Sequence, residues 1–276
     1  MKNILCNGTL FISWYKIFEA SVKKYIGATI ATLLFVVVFI SPASAGFQVQ
    51  PTTMDLGVRE KSGVFSVINK GNEKVDFQVS VKEWSQDEKG KDVYVDTKEI
   101  VFFPKIMSVE ANSQRAIRIG LKTPPSTKEK TYRLFVEEIP TPKKTTDMDA
   151  QKVKAGLTIA FRFSMPIFVK PFKLQERYVI DKIEMSNGAV KALIKNTGNV
   201  HIKTRAVKFS GKDAEGKEIF SKEVAGWYIL NGLSFSYEAT VPKELCGQLA
   251  KIDVSAQTES SNINGTLNVQ KNMCTQ

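Results

Sequence analysis

A catalytic centre needs a nucleophile, an acid–base pair or a metal, and this chain offers few residues for any of them. His201 is the single histidine among 276 residues. A Ser-His-Asp or Cys-His arrangement would have to use it. It stands in NTGNVHIKT, where a strand pattern begins, and reads as a surface residue. Of the three cysteines, Cys6 lies in an N-terminal leader, while Cys246 and Cys274 lie near the C-terminus with no CxxC spacing. In an oxidising compartment such an even pair reads as a structural disulfide rather than a metal or redox site. Closing its loop is worth roughly 3–4 kcal/mol in the chain-entropy model. One histidine and two bonded cysteines leave no zinc set. There is no glycine-rich phosphate loop, and no carboxylate pair has a motif context for acid–base chemistry. The reactive residues argue against an enzyme and against a bound cofactor or metal.

The patterned residues are apolar instead. Every odd position from Val153 to Val169 is apolar: Val153, Ala155, Leu157, Ile159, Phe161, Phe163, Met165, Ile167 and Val169. The even positions are mostly polar or small. Strand side chains alternate faces, so the stretch predicts a strand with one greasy face and one wet face. At full length it would span roughly 56 Å, about three times a common strand. Two readings follow. It is a long core strand bent near Pro166, or an edge strand that lends its apolar side chains to a partner. Pro166 suits an edge or a bulge.

Other elements must hold that strand in place. Residues 1–45 read as a signal peptide, with Lys16, Lys23 and Lys24 flanking the apolar run Ile26 to Ile40 and Ala43-Ser44-Ala45 as a cleavage site. The apolar run is shorter than the roughly 20 residues of a spanning helix. Loss of that leader removes four lysines and one glutamate, taking the formal charge from +11 to +8 over the 231 residues from Gly46. The lysines are interspersed with acidic residues (KEWSQDEKGKD, KDAEGKE) and form no nucleic-acid motif. The basic balance reads as solubility with a bias toward carboxylate-bearing partners.

From Gly46 onward, strand signals recur every 8–15 residues or so and no useful amphipathic helix appears, which predicts sandwiches. Strands are expected at 47–49, 54–56, 63–69, 75–84, 93–95, 100–103, 115–121 and 132–139, then along the long stretch itself. A second set is expected at 178–185, 189–196, 202–209, 218–221, 226–230, 234–241, 251–257 and 265–269. Asn69-Lys70-Gly71-Asn72 and Asn231-Gly232 mark turns, and Thr141 to Lys152 reads as a polar loop leading into the long strand. Lys170-Pro171-Phe172-Lys173 is a stiff boundary. The fold class is therefore all-β: two β-sandwich domains, 46–172 and 173–276, joined at an elbow with a cleft between them. One large twisted sandwich is the alternative.

The order of these pieces resembles the PapD-like periplasmic chaperones of the chaperone–usher pathway. QVQPTTMDL, INKGNEKVDFQVSVKEW, FFPKIMSVEANSQRAIRIG, YRLFVEEIP, LTIAFRFSMPIFVKP and KALIKNTGNVHIK each resemble a family segment, in family order. The resemblance implies immunoglobulin-like sandwiches and a chaperone that inserts a long edge strand into pilus subunits lacking their last strand. This chaperone–pilin pairing is a known instance of strand addition. It further implies delivery to an outer-membrane usher, a periplasmic location, and self-association as one way to shield the strand without a client. The groove-filling side chains would be Leu157, Ile159 and Phe161, with Ala155 and Phe163 beside them. Many family members grip the client's terminal carboxylate with an arginine and a lysine; here those positions fall on or near Thr53 and on Pro166. The endings YRLFVEEIP and SMPIFVKP look more like the divergent, archaic branch, where Arg133 becomes the leading anchor, with Arg162 and Lys170 as weaker candidates. The competing reading is a secreted two-domain structural component or adhesin. A subunit would carry its donor segment as an N-terminal tail, whereas this chain holds it internally.

Overall fold

Alternating apolar residues build two layered units, each closed around its own core. The computed structural model describes residues 46–87, 90–140 and 160–274. In the first sandwich one sheet has the order β1-β3-β8-β6, from β1 (Phe47–Gln50), β3 (Ser62–Asn69), β8 (Ser113–Leu121) and β6 (Ile100–Phe103). The facing sheet contains β2 (Met54–Leu56), β10 (Arg162–Val169), β9 (Lys130–Glu138), β4 (Val75–Gln86) and β5 (Asp92–Asp96), adjacent in that order. A further strand, β7 (Ile106–Val109), also pairs with β4. The chain crosses between the sheets after β1 and after β6, and the Gln50–Pro51 and Phe103–Pro104 peptides at those crossings are cis. Phe65, Val67, Phe77, Ile117, Tyr132, Leu134 and Ile167 fill the space between, each fully buried.

The second sandwich pairs β11 (Tyr178–Ser186), β12 (Ala189–Asn196) and β16 (Ser234–Thr240) in one sheet. The other has the order β14 (Glu218–Ala225), β13 (Ile202–Lys212), β17 (Lys251–Thr258) and β18 (Asn262–Asn268), with β15 (Tyr228–Ile229) on β13. Val190, Ile194, Val207, Phe209, Ile252 and Val254 form its core. A one-turn helix α1 (Lys243–Cys246) closes one end, where Cys246 is bonded to Cys274 across a Cα separation of 5.7 Å. The expected disulfide is therefore present.

A third, smaller cluster joins the two units. Trp84 and Phe168 of the first sandwich are buried with Leu230 of the second, and Tyr228 and Leu233 pack against them. It corrects the expected wet face of the long strand. Pro166 and Phe168 are buried along with Met165, Ile167 and Val169, because the second sandwich covers the face opposite the core. The short strand β7 and helix α1 were not expected, and β18 begins three residues earlier than its apolar pattern indicated. Residues 141–159, which include the polar loop and the first half of the long alternating stretch, lie outside the described residues.

Candidate functional site

The site has two parts, a strand edge and a cleft. Strand β10 pairs antiparallel with β9 along its whole length, from Arg162 opposite Glu137 to Val169 opposite Lys130. On its other side β2 runs parallel to it, and only at Ile167 to Val169. The Phe161 carbonyl accepts the Glu138 N–H (2.9 Å), whereas the Lys170 N–H donates to Leu56 (2.8 Å). Odd residues therefore aim their backbone groups at β9, and even residues aim theirs at the far edge. Thr53 Oγ1 lies 3.5 Å from the Pro166 carbonyl. Beyond it, the backbone of Arg162 and Ser164 forms an edge that no described strand covers.

The odd side chains of this strand leave the core in steps. Met165, Ile167 and Val169 are buried, Phe163 is partly buried, and Phe161 is 51% exposed. Phe161 makes a T-shaped contact with Phe47 (5.4 Å) and Phe47 makes another with the core residue Phe77 (5.4 Å). Of the expected donor side chains, Phe161 and Phe163 lie here, while Ala155, Leu157 and Ile159 lie outside the described residues.

The cleft is built on the outer face of the sheet containing β9. Positions 131, 133 and 135 of β9 point away from the core yet are buried, as are Tyr132, Leu134 and Val136 on the core side. Arg133 is 4% exposed. Its Cζ sits 3.8 Å above the Trp84 ring, with Tyr228 and Trp227 of the second sandwich at 5.6 and 5.8 Å. Its Nε and Nη2 are buried without a hydrogen-bond partner. Burial pulls the guanidinium below arginine's ordinary pKa, against the opposing pull of Tyr94, Asp92 and Tyr228. A buried cation with unpaired donors is costly, and aromatic faces offset only part of that cost. Arg133 lies opposite Pro166 on β10, so it borders the Thr53–Pro166 contact.

The other two candidate cations are engaged. Arg162 Nε pairs with Glu137 (2.6 Å) while its Cζ lies 4.2 Å over Phe135. Lys170 pairs with Asp55 (2.6 Å). Neither shares the aromatic surroundings of Arg133.

His201 is not the surface residue its sequence context suggested. Its ring stacks on Phe168 at 3.6 Å, and its backbone N–H (2.6 Å) and Nδ1 (2.8 Å) both meet Glu129 Oε2. Glu129 comes from the first sandwich and its side chain is fully buried. Gln86 makes a second bridge, donating to Tyr228 O (2.9 Å) and accepting from the Leu230 N–H (3.2 Å). Beside the Glu129–His201 pair lies an open cavity of about 420 Å³ bordered by Thr53, Phe168, Lys203 and Tyr228. Sequence reasoning missed Glu129, Trp84, Trp227 and Tyr228 as cleft residues. No local pattern links them: Trp84 comes from β4 and Glu129 from just before β9, strands that pair within the first sandwich, and Trp227 and Tyr228 reach them only across the elbow. Among the described residues no group of three His, Cys, Asp or Glu is placed to hold a metal.

Comparison with known proteins adds to this geometry. Residues 46–175 match the family described as "Pili and flagellar-assembly chaperone, PapD N-terminal domain". No curated protein matches by sequence. Among solved structures, the fold is similar to a chain of the CsuC–CsuE chaperone–tip adhesion subunit pre-assembly complex from archaic Csu pili of Acinetobacter baumannii. The identity is 18%, coverage 81% of this chain and 97% of that chain, and the TM-score 0.54. A chain of the Salmonella enterica SafA pilin–SafB chaperone complex matches at 16% identity over 82% of this chain and 99% of its own, with TM-score 0.49. The class 5 fimbriae chaperone CfaA matches at 17% over 81% and 99%, with TM-score 0.48. The first of these shows that the two-domain fold is shared.

Proposed function

We propose that this chain, which through residues 46–175 belongs to the PapD-type pili- and flagellar-assembly chaperones, binds and caps pilus subunits by lending them the edge of β10. One observation carries the reading. In a single unbroken register, the odd side chains of β10 pass from its own core at Ile167 to exposure at Phe161. The strand is thus anchored in the sandwich at one end and offered at the other. An added strand would find backbone partners at Arg162 and Ser164, and Phe161 would enter the client's apolar groove together with Leu157 and Ile159. Ala155 and Phe163 would flank them.

The cleft supplies the second contact. Arg133 holds a buried planar set of donors with two nitrogens unpaired, which suits a client's terminal carboxylate. Arg162 and Lys170, already ion-paired, would contribute less. Residues 46–172 would form the client-binding domain and 173–276 the second domain, with residues 1–45 a cleaved signal directing the chain to the periplasm. Delivery to an outer-membrane usher completes the role, which involves no chemical step on the client.

The test is co-purification of the chaperone with a pilus subunit that lacks its last strand. Wild type should yield a one-to-one complex. Phe161→Asp would carry a charge into the groove at a cost of about 3–5 kcal/mol and should abolish the complex, while its own unfolding temperature stays near wild type because Phe161 is half outside the core. A well-folded Phe161→Asp variant that still captures the subunit would refute the reading.

A further inference from the structure

The set of donors that makes Arg133 attractive to a carboxylate is closed off in this structure. Nε and Nη2 are buried, so no ligand atom reaches them without movement of a neighbour. The neighbours differ in freedom. Trp84 is 1% exposed and wedged against Phe168 and Tyr228, with ring separations of 6.1 and 5.5 Å. Trp227 is 42% exposed and its ring packs on Tyr228 at 5.7 Å. Its backbone is held where it is. The Trp227 N–H donates to Tyr237 Oη (3.2 Å), and at Gly226 an added Cβ would lie 2.0 Å from the Thr204 carbonyl oxygen. The turn is thus fixed while the side chain is partly in solvent.

We propose that Trp227 is a displaceable wall over Arg133: the client's carboxylate takes the place of the Trp227 ring, while Trp84 remains as the floor beneath the guanidinium. This rests on Arg133 being the carboxylate receptor. The exchange is favourable in kind, because a distant aromatic face is replaced by paired hydrogen bonds to groups that now have none. It also assigns the second sandwich a part in client capture, since the wall belongs to it and the cation to the first.

The experiment follows the indole N–H resonances of the chain from Gly46 onward, where Trp84 and Trp227 are the two tryptophans. The probe is a short acetylated peptide alternating valine and threonine, once with a free C-terminal carboxylate and once as the amide. The acid should shift both indole resonances and the amide neither. Trp227→Ala should bind the acid about two- to fivefold more tightly, the equivalent of one exposed cation–π contact no longer displaced. Trp227→Phe, which keeps an aromatic face, should stay near wild type. If Arg133→Ala abolishes acid binding while Trp227→Ala binds no more tightly than wild type, the wall is refuted and the receptor stands. The same conclusion follows, without any Trp227 variant, if the acid moves the Trp84 resonance but not that of Trp227. Equal shifts with acid and amide, no shift with the acid, or unchanged binding in Arg133→Ala would remove the receptor and the wall together.

Discussion

The two sandwiches contain the same short turn, and the fold uses it differently in each. Asn69-Lys70-Gly71-Asn72 follows β3 and Asn196-Thr197-Gly198-Asn199 follows β12. In both, the first asparagine is buried and its side chain holds the turn together. Asn69 Nδ2 lies within 2.8–3.1 Å of the carbonyls of Glu73, Val109 and Glu110, and its Oδ1 accepts the Gly71 N–H (2.9 Å). Asn196 Nδ2 reaches Val200 (2.8 Å) and Ile229 (3.0 Å), and its Oδ1 accepts the Gly198 N–H (3.0 Å). The last asparagine separates them. Asn72 is exposed, whereas Asn199 donates to Thr127 O (2.9 Å) and Lys173 O (2.8 Å) and accepts the Gln175 N–H (2.7 Å). Its carbonyl also takes the Glu129 N–H (2.9 Å). The first turn seals one sandwich, and the second fastens the elbow between two. One local motif therefore has two tertiary roles, according to what lies within reach of its last residue.

The largest expected effect sharpens the contrast at the level of whole sandwiches. Only the second carries a disulfide, across a sequence separation of 28 residues. Cys246→Ser with Cys274→Ser should lower stability by roughly 3–4 kcal/mol, and amide hydrogen exchange should place the loss in residues 178–274 with β3, β8 and β9 little changed. Next come the buried asparagines. Asn69→Ala and Asn196→Ala each strand buried carbonyls and should cost about 2–3 kcal/mol, with the opening confined to the sandwich that was altered. Equal opening of both sandwiches by either variant would break the view that each buried asparagine holds only its own sandwich.

The glycines give a smaller and more discriminating test. A Cβ at Gly198 would lie 2.2 Å from the Gln175 carbonyl oxygen and 2.8 Å from the Arg177 nitrogen, both backbone atoms of the connecting segment. At Gly71 the tightest contact would be 3.1 Å, to the Asn69 side chain. Gly198→Ala should therefore cost roughly 1–3 kcal/mol and change the small-angle scattering profile, because the elbow must shift. Gly71→Ala should do less and leave the profile unchanged.

The smallest effect is the response to acid. In the second sandwich Asp253 is held down to about 2 by hydrogen bonds from Lys212, Lys251 and Thr266, with Lys212 the leading cause. A depressed carboxylate pKa contributes stability that is complete above its unfolded value, near 3.8, and lost as pH falls toward 2. Asp253→Asn should flatten that part of the stability curve for the second sandwich and leave the first untouched. There Glu99 is lowered independently by Lys130 and Tyr132. Urea unfolding followed between pH 2 and 5, with hydrogen exchange to separate the sandwiches, reads this directly.

Local chemistry alone determined much of this protein. Period-two alternation marked most of the strands, including the core face Phe163, Met165, Ile167 and Val169, because burial of one sheet face is a local, repeating constraint. The even count of cysteines after Gly46 paired Cys246 with Cys274. The asparagine–glycine turn after β3 was legible because the bond from the Gly71 N–H to Asn69 Oδ1 closes within two residues. The tertiary structure decided the rest. Phe168 sits at a position that alternation assigns to solvent and is buried only because the second sandwich comes to rest on it. Residues 106–109 became a strand because the chain crosses to β4 after Pro104, and the four-residue stretch alone carries too little pattern to show this. His201 meets Glu129 across 72 residues, and Arg133 meets Trp227 across a still longer stretch of chain. Such pairings depend on the angle at which two separately folded units meet, and that angle is set by contacts between them rather than by the periodicity of either.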